Sequence, residues 1–239
     1  HMKNLLLIFV LFLSSLVFGQ GNNSQPFYVG TFTSEGGEGI YLCNLNSETG
    51  EISWRSTFKG IDNPSFLKIS KDRNYLYSVS RATTPIEKSG GFVVAYKIAE
   101  NGSLHFLNKQ ISNGEGPCHV DVSPKGDFVA IATYGSGTTS LYPVDEHGAL
   151  KKASSLIVNS GEGIDPDRQM QPHAHSIKFS PFENAIFSAD LGTDQLNIYQ
   201  LRNGELTQAE QKFVKLESGA GPRHFEFDLK GEIIYVINE

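Results

Sequence analysis

Arg223 and Glu239 stand sixteen residues apart, one at the entry to an alternating apolar run and the other just past the end of the next. An arginine can grip an anion at two points or neutralise an oxyanion as it forms. A carboxylate can take a proton from water, and an imidazole can pass one to a departing oxygen. His175 and Asp190 lead and close the runs before that, and His119 and Tyr134 those before again. If the two runs are strands that go out and return, each pair sits side by side, and pairs from successive units converge if the first strand is innermost. Polar and charged groups then gather where a barrel core would be apolar, which marks a site.

The elements that must hold these residues come from a repeat. Asn63 to Arg81, Gly116 to Tyr134, His173 to Leu191 and Gly221 to Glu239 align without a gap, and Tyr28 to Phe32 matches the tail of the same unit. Each segment is an alternating run, a polar turn and a second alternating run, the pattern of a β-hairpin with one buried face. The ends Thr31, Arg81, Tyr134, Leu191 and Glu239 are 50, 53, 57 and 48 residues apart. A second hairpin follows each of the first four, with its turn at Ser47–Ile52, Glu100–Leu104, Glu146–Leu150 and Arg202–Leu206. A glycine recurs in each turn, as positive φ requires. Four antiparallel strands, here A to D in chain order, repeating every fifty residues or so predict an all-β β-propeller. A β-sandwich is the alternative, but sandwiches need not repeat their sequence.

The count of strands is uneven. Three strands open the chain, three whole units follow, and two strands end it, so about five blades are represented and the propeller does not close on these residues. The expectation is a fragment lacking its C-terminal part. Thr83 to Gly90 and Asn159 to Pro172 are expected as loops on one rim.

Lys3 and the apolar stretch Leu5 to Phe18, followed by Gly19, read as a cleaved signal peptide over residues 1–19, leaving the propeller over 20–239. Fourteen apolar residues are short against the roughly 20 needed to span a bilayer, and no basic cluster follows, so no stable membrane anchor is expected. The implied location is periplasmic or secreted. Net charge is −6 with no basic run, which argues against a nucleic-acid partner. Cys43 and Cys118 fall in different repeats and are too few for a disulfide framework. No CxxC, HExxH, glycine-rich phosphate loop or GxSxG occurs, so zinc, nucleotide and hydrolase-elbow chemistry have no support.

YVGTFTSEGGEGIY, PCHVDVSPKGDFVAIATYGSGTTSLYPVDEHGAL, DPDRQMQPHAHSIKFSP and GAGPRHFEFDLKGEIIYVINE together resemble the bacterial 6-phosphogluconolactonase-type lactonases, a family that includes a fungal carboxymuconate cyclase. The likeness runs from Tyr28 to the last residue, and DRQ…PHAHS, GPRH and the closing NE are more specific than the blade pattern. The resemblance implies seven blades, about two of them outside this chain, with the site at the central channel. It implies a hydrolase that opens a lactone by general-base attack of water, without metal or organic cofactor; with its missing blades the closed propeller is expected to be a monomer. Rival readings are an isomerase of the cyclase kind and a non-catalytic exported propeller that binds a ligand or partner.

In the cyclase branch a His, an Arg and a Glu with the spacing of His175, Arg223 and Glu239 are proposed as catalytic, so the resemblance implies His175 as general acid/base, Arg223 as anion clamp and Glu239 as base or orienting carboxylate; a second arginine of that set would lie past Glu239. Arg168 and Gln169 match the family's RQ pair and are candidates for substrate contact, as are His119 and Asp190 at the mouth. Each has a plainer reading. Arg223 could simply bridge blades through Glu239. His119 and His224 could bond a neighbouring blade's backbone, and that structural role is favoured for both. His173 is read as facing away from His175, and His105 and His147 as facing solvent. Ser65 and Lys68 mimic an SxxK pair but point to opposite faces of a strand. An exported enzyme would not meet a phosphorylated cytoplasmic intermediate, which favours an unphosphorylated sugar lactone or a binding role.

Overall fold

The computed structural model describes residues 23–239 except 87, 88 and 183; the expected leader lies outside the described residues. Five antiparallel sheets follow one another along the chain. The first holds β1 (Ser24–Val29), β2 (Ile40–Asn46) and β3 (Ile52–Phe58), and the second β4 (Leu67–Ile69), β5 (Tyr75–Ile86), β6 (Ser89–Ile98) and β7 (Leu104–Ile111). The third holds β8 (Pro117–Val122), β9 (Phe128–Thr133), β10 (Thr138–Pro143) and β11 (Ser155–Val158). The fourth is β12 (Ala174–Phe179), β13 (Ala185–Asp190), β14 (Gln195–Arg202) and β15 (Glu205–Lys215), and the fifth β16 (Pro222–Phe227) and β17 (Ile234–Asn238). Three, four, four, four and two strands is the division the repeat predicts. Gly50, Gly102, Gly148 and Gly204 all take positive φ (73°, 82°, 81° and 80°) in the outer turns, where a Cβ would strain the backbone.

The A strands form the inner ring: β4 touches β8, β8 touches β12, and β12 touches β16. The outermost strand β15 is mostly exposed. The core lies between blades. Val129 and Ile131 of β9 pack toward Val79 and Val93 of the second sheet, while Ala130 and Ala132 of the same strand pack toward Ile177 and Tyr199 of the fourth. Strands flanked by a blade on each side, such as β9 and β10, therefore bury both faces, which corrects the reading of hairpins with one buried face there; outer and terminal strands stay exposed. It also explains why FVAIAT is apolar from Phe128 to Ala132 without alternation.

Thr83 to Gly90 is not simply a rim loop: β5 runs on to Ile86 and β6 begins at Ser89, so most of the insertion lengthens a hairpin. Asn159 to Pro172 is a loop, as expected. Among the described residues no helix is long and apolar enough to cross a membrane.

One irregularity recurs where chemistry is concentrated. The pairing of A with B shifts between Pro117 and His119, between Ala174 and Ser176, and between Pro222 and His224. Cys118, His175 and Arg223 are the residues stepped over. A bulge leaves one residue out of the ladder and re-aims its side chain. The repeat thus supplies a bulged position at one end of the channel in three successive blades.

Candidate active site

Glu239 follows the end of β17, and its N–H donates to the Gly221 carbonyl (3.0 Å), which seats it beside the bulge of β16. Arg223 Nε donates to Glu239 Oε2 at 2.9 Å. From the long loop, Arg168 Nη2 donates to Glu239 Oε1 at 2.8 Å and to the Tyr134 hydroxyl at 3.2 Å. His175 Nε2 lies 3.6 Å from Glu239 Oε2, close enough to pair once protonated. One carboxylate thus gathers two guanidinium groups and an imidazole contributed by two blades and a loop. The plainer reading of Arg223 changes accordingly: its contact with Glu239 lies within one hairpin and bridges no blades.

Tyr134, just past β9, forms one wall. His173 stacks on its ring (centroids 4.3 Å apart, 16° between planes), and His173 Nδ1 is 2.7 Å from the Tyr134 carbonyl. His175 meets the same ring edge-on at 5.3 Å. His173 therefore shares a wall with His175, contrary to the expectation that it faces away. His173 lies just before β12 and His175 on its bulge, so the alternation that would separate or join them is broken there, and both rings reach Tyr134.

The charges set the protonation states. Hydrogen bonding from Arg168 holds the Glu239 carboxyl below its ordinary range, with Arg168, His175 and Arg223 adding attraction against partial burial. Arg168 is raised in turn, first by that hydrogen bond. Burial lowers His175, and Arg223 and Arg168 push the same way against Glu239. A carboxylate bound on both oxygens is a weak base but a good anchor. A neutral imidazole is a proton acceptor at neutral pH. His175 Nδ1 is buried with no partner among the described residues, so Nε2 is the nitrogen turned to the mouth.

Below this level the channel carries rings and then charges. His224 sits 5.4 Å from His175 and 5.3 Å from His119, and Phe66 stacks 3.9 Å from His119. Burial, with His175 and Arg223, takes His224 down to about 4; burial, with His224, also lowers His119 well below its ordinary value. Two residues along the A strands, Lys68 pairs with Asp121 (2.7 Å) and Lys178 with Glu226 (2.6 Å), each pair joining adjacent blades. These four line a cavity of about 400 Å³ at the opposite end from Glu239.

The structure brings His175, Arg223, Glu239 and Arg168 together and does not bring Gln169, Asp190 or His119 to them. Gln169 is buried, donating to Asp194 Oδ1 (2.6 Å) and the Leu191 carbonyl (2.8 Å). Asp190 has no exposed surface and accepts from the backbone of His173 and Gly192 and from Asn159 Nδ2. It lies one residue out of phase: in the gapless repeat the counterpart of Glu239 is Leu191, so Asp190 points to the other face. His119, 2 % exposed, has its ring against Phe66 and the Ile177 N–H 3.4 Å from Nδ1, which favours the structural role. Tyr134 and His173 are the contributors that sequence reading undervalued; Tyr134 occupies the repeat position of Glu239, a signal that was available. His147 and His105 are exposed, as expected. Cys43 and Cys118 are free thiols, and burial pushes Cys118 up to about 12.

Blades whose inner strands line a channel, with a charged cluster at one mouth, define a β-propeller. The chain belongs to the family described as "Lactonase, 7-bladed beta-propeller", which matches residues 26–239. It is 38% identical to a Bacillus subtilis 6-phosphogluconolactonase over 213 residues, covering 89% of this chain and 59% of that protein. A Bacteroides fragilis crystal structure, provisionally assigned as a 6-phosphogluconolactonase, superposes with a TM-score of 0.84 at 33% identity, covering 91% of this chain and 62% of the other. A periplasmic gluconolactonase from Pseudomonas aeruginosa superposes with a TM-score of 0.80 at 25% identity, covering 90% and 61%. The chain spans about three fifths of the length of these relatives.

Proposed function

We propose that this site opens the ring of a sugar lactone by general-base attack of water. The observation that carries the proposal is the joint hold of Arg168 and Arg223 on Glu239, beside the lowered imidazole of His175. His175 Nε2 takes a proton as the water oxygen bonds to the lactone carbonyl carbon. The imidazolium so formed is stabilised by Glu239 Oε2. The carbonyl oxygen becomes an oxyanion, which the outward N–H groups of Arg223 and Arg168 can receive. When the bond from that carbon to the ring oxygen breaks, the imidazolium returns its proton to the departing oxygen, leaving a hydroxy acid. Glu239 thus orients and neutralises, and His175 carries the proton, which refines the alternatives the sequence left for Glu239.

The leader-like segment Leu5 to Phe18 supports export, and with it an unphosphorylated lactone in carbohydrate metabolism outside the cytoplasm. The periplasmic gluconolactonase is a relative with such a name. A pH-stat assay of the full-length protein on δ-gluconolactone and its 6-phosphate tests both parts. Faster turnover of the unphosphorylated ring is expected. Hydrolysis of neither above the uncatalysed rate would leave a ligand-binding propeller as the better account.

A further inference from the structure

Arg168 and Arg223 reach the two oxygens of Glu239 from positions outside the regular pairing, one in a loop and the other stepped over by the β16–β17 ladder. Arg168 lies in the loop between β11 and β12, and Arg223 on a bulge after the glycine-rich run Gly219–Gly221. Both segments end on one buried side chain. Asp194, 1 % exposed, caps the short turn after β13 with a left-handed backbone (φ 52°). Its Oδ1 accepts from Gln169 Nε2 at 2.6 Å and from the Gly221 N–H at 2.9 Å, and its Oδ2 from the Gly219 N–H at 2.9 Å. Its own carbonyl takes the Leu216 N–H at 2.9 Å.

Gln169 transmits the hold to its neighbour Arg168. Its amide oxygen accepts from the Asp165 N–H (3.1 Å), its backbone N–H donates to the Asp165 carbonyl (2.8 Å), and its carbonyl accepts from the Gly163 N–H (2.9 Å). The loop is thereby closed on itself around a buried amide. Charge-assisted hydrogen bonds to one carboxylate in a buried setting are short and stiff.

We propose that Asp194 is a positioning residue: through Gln169 and the N–H groups of Gly219 and Gly221 it sets the separation of Arg168 and Arg223 on Glu239. Substrate is not needed for this hold, and Asp194 touches none of the reacting groups. The proposal rests on the lactonase reading for its catalytic meaning, but the geometry it predicts can be measured without turnover.

Gln169→Met retains side-chain length and loses the amide; Asp194→Asn retains shape and turns a donor toward donors. Each should lower kcat by about 10-fold to 10²-fold with a smaller change in KM, the scale expected when a charged group shifts by about an ångström. His175 is faced by Arg168 from the loop, Arg223 and His224 from β16, Glu239 past β17 and Tyr134 past β9. Withdrawing Arg168 removes a charge that lowers His175, so the His175 titration, followed by imidazole NMR, should move to higher pH in both variants and in Arg168→Ala. A merely structural role for Asp194 would lower Tm and leave that titration in place. The proposal is overturned if Gln169→Met shows the parent His175 titration and parent kcat per folded molecule. Should Asp194→Asn fail to fold, Gln169→Met alone decides. Absence of lactonase activity in the parent protein would sink the hydrolase reading, while the NMR titration still tests the strut.

Discussion

Arg223 Nε and Glu239 Oε2 meet at 2.9 Å across one hairpin, the arginine on a bulge of β16 and the carboxylate just beyond β17. Both side chains keep substantial exposure (49 % and 36 %), so the pair contributes at most about 1 kcal/mol to stability. Its value lies in aim. Arg223→Ala should reduce kcat/KM for lactone hydrolysis by about 10²–10³, the scale for losing one oxyanion donor. Arg223→Lys should be nearly as poor, because an ammonium lacks the planar fork. Tm should barely move in either. A large fall in Tm with parent turnover per folded molecule would instead mark a structural brace.

His175 is expected to behave as a base that stays neutral below the usual histidine range. Its folded pKa is lowered, chiefly by burial, so the base form persists as pH drops past the ordinary value of 6.5. The acid limb of kcat/KM should therefore fall below pH 6.5, and His175→Gln should lose about 10²–10⁴ in kcat. Glu239 raises the His175 pKa, so Glu239→Gln should move the surviving acid limb further down while slowing turnover. Movement of that limb upward would contradict the assigned electrostatics.

The imidazole layer makes a claim on stability. His119 and His224 are lowered in the fold and ordinary when unfolded. Below about pH 6.5 the unfolded chain binds protons that the fold refuses, so stability falls with pH from there to about 4, the folded value of His224. Phe66 fills the position of His224 in the second sheet, so His224→Phe suits the channel and removes one titrating group. Thermal melts at pH 7 and pH 5 should differ less for that variant than for the parent. An equal or greater difference would show that the loss comes from other groups.

Much of this was legible because the repeat does two jobs. It predicts where strands begin and end, and by placing Arg223 and Glu239 at opposite ends of one hairpin it predicts their contact. What was not legible depends on phase and on bulges. Asp190 reads as a counterpart of Glu239 because it closes its run, but counting along the gapless repeat places Leu191 there and turns Asp190 inward. The bulge at His175 breaks the alternation counted from His173, and their shared contact with Tyr134 is what brings both to one wall. Gln169 carries a polar side chain next to a site arginine, which looks like substrate contact in sequence; its partner Asp194 lies 25 residues away and has no motif to announce it.

Export makes a separate prediction. Protein recovered from its native host should begin at or near Gln20 if Leu5 to Phe18 directs secretion and is removed after Gly19. N-terminal sequencing of the mature protein decides. Retention of the apolar stretch would leave the periplasmic or secreted location without its support.

Asp190 offers the sharpest contrast between a structural and a chemical carboxylate. Its Oδ1 accepts from the His173 N–H (2.8 Å) and the Gly192 N–H (3.1 Å), and Oδ2 from Asn159 Nδ2 (2.7 Å), all without exposed surface. Burial raises its pKa although these bonds oppose the rise, so the fold tolerates the charge for the sake of the acceptors. Asp190→Ala strands the donors and should cost about 1–3 kcal/mol or more, since an unpaired buried group loses its full desolvation energy. For a domain of this size that is a fall in Tm of several degrees, at about 2–4 °C per kcal/mol. Asp190→Asn retains one acceptor for the two backbone N–H groups and should cost less. Because Asp190 reaches neither Glu239 nor His175, turnover per folded molecule should stay within about twofold in both variants. A collapse of kcat with parent Tm would move Asp190 into the chemistry, and would mean that the face assigned to it by the strand's alternation is wrong.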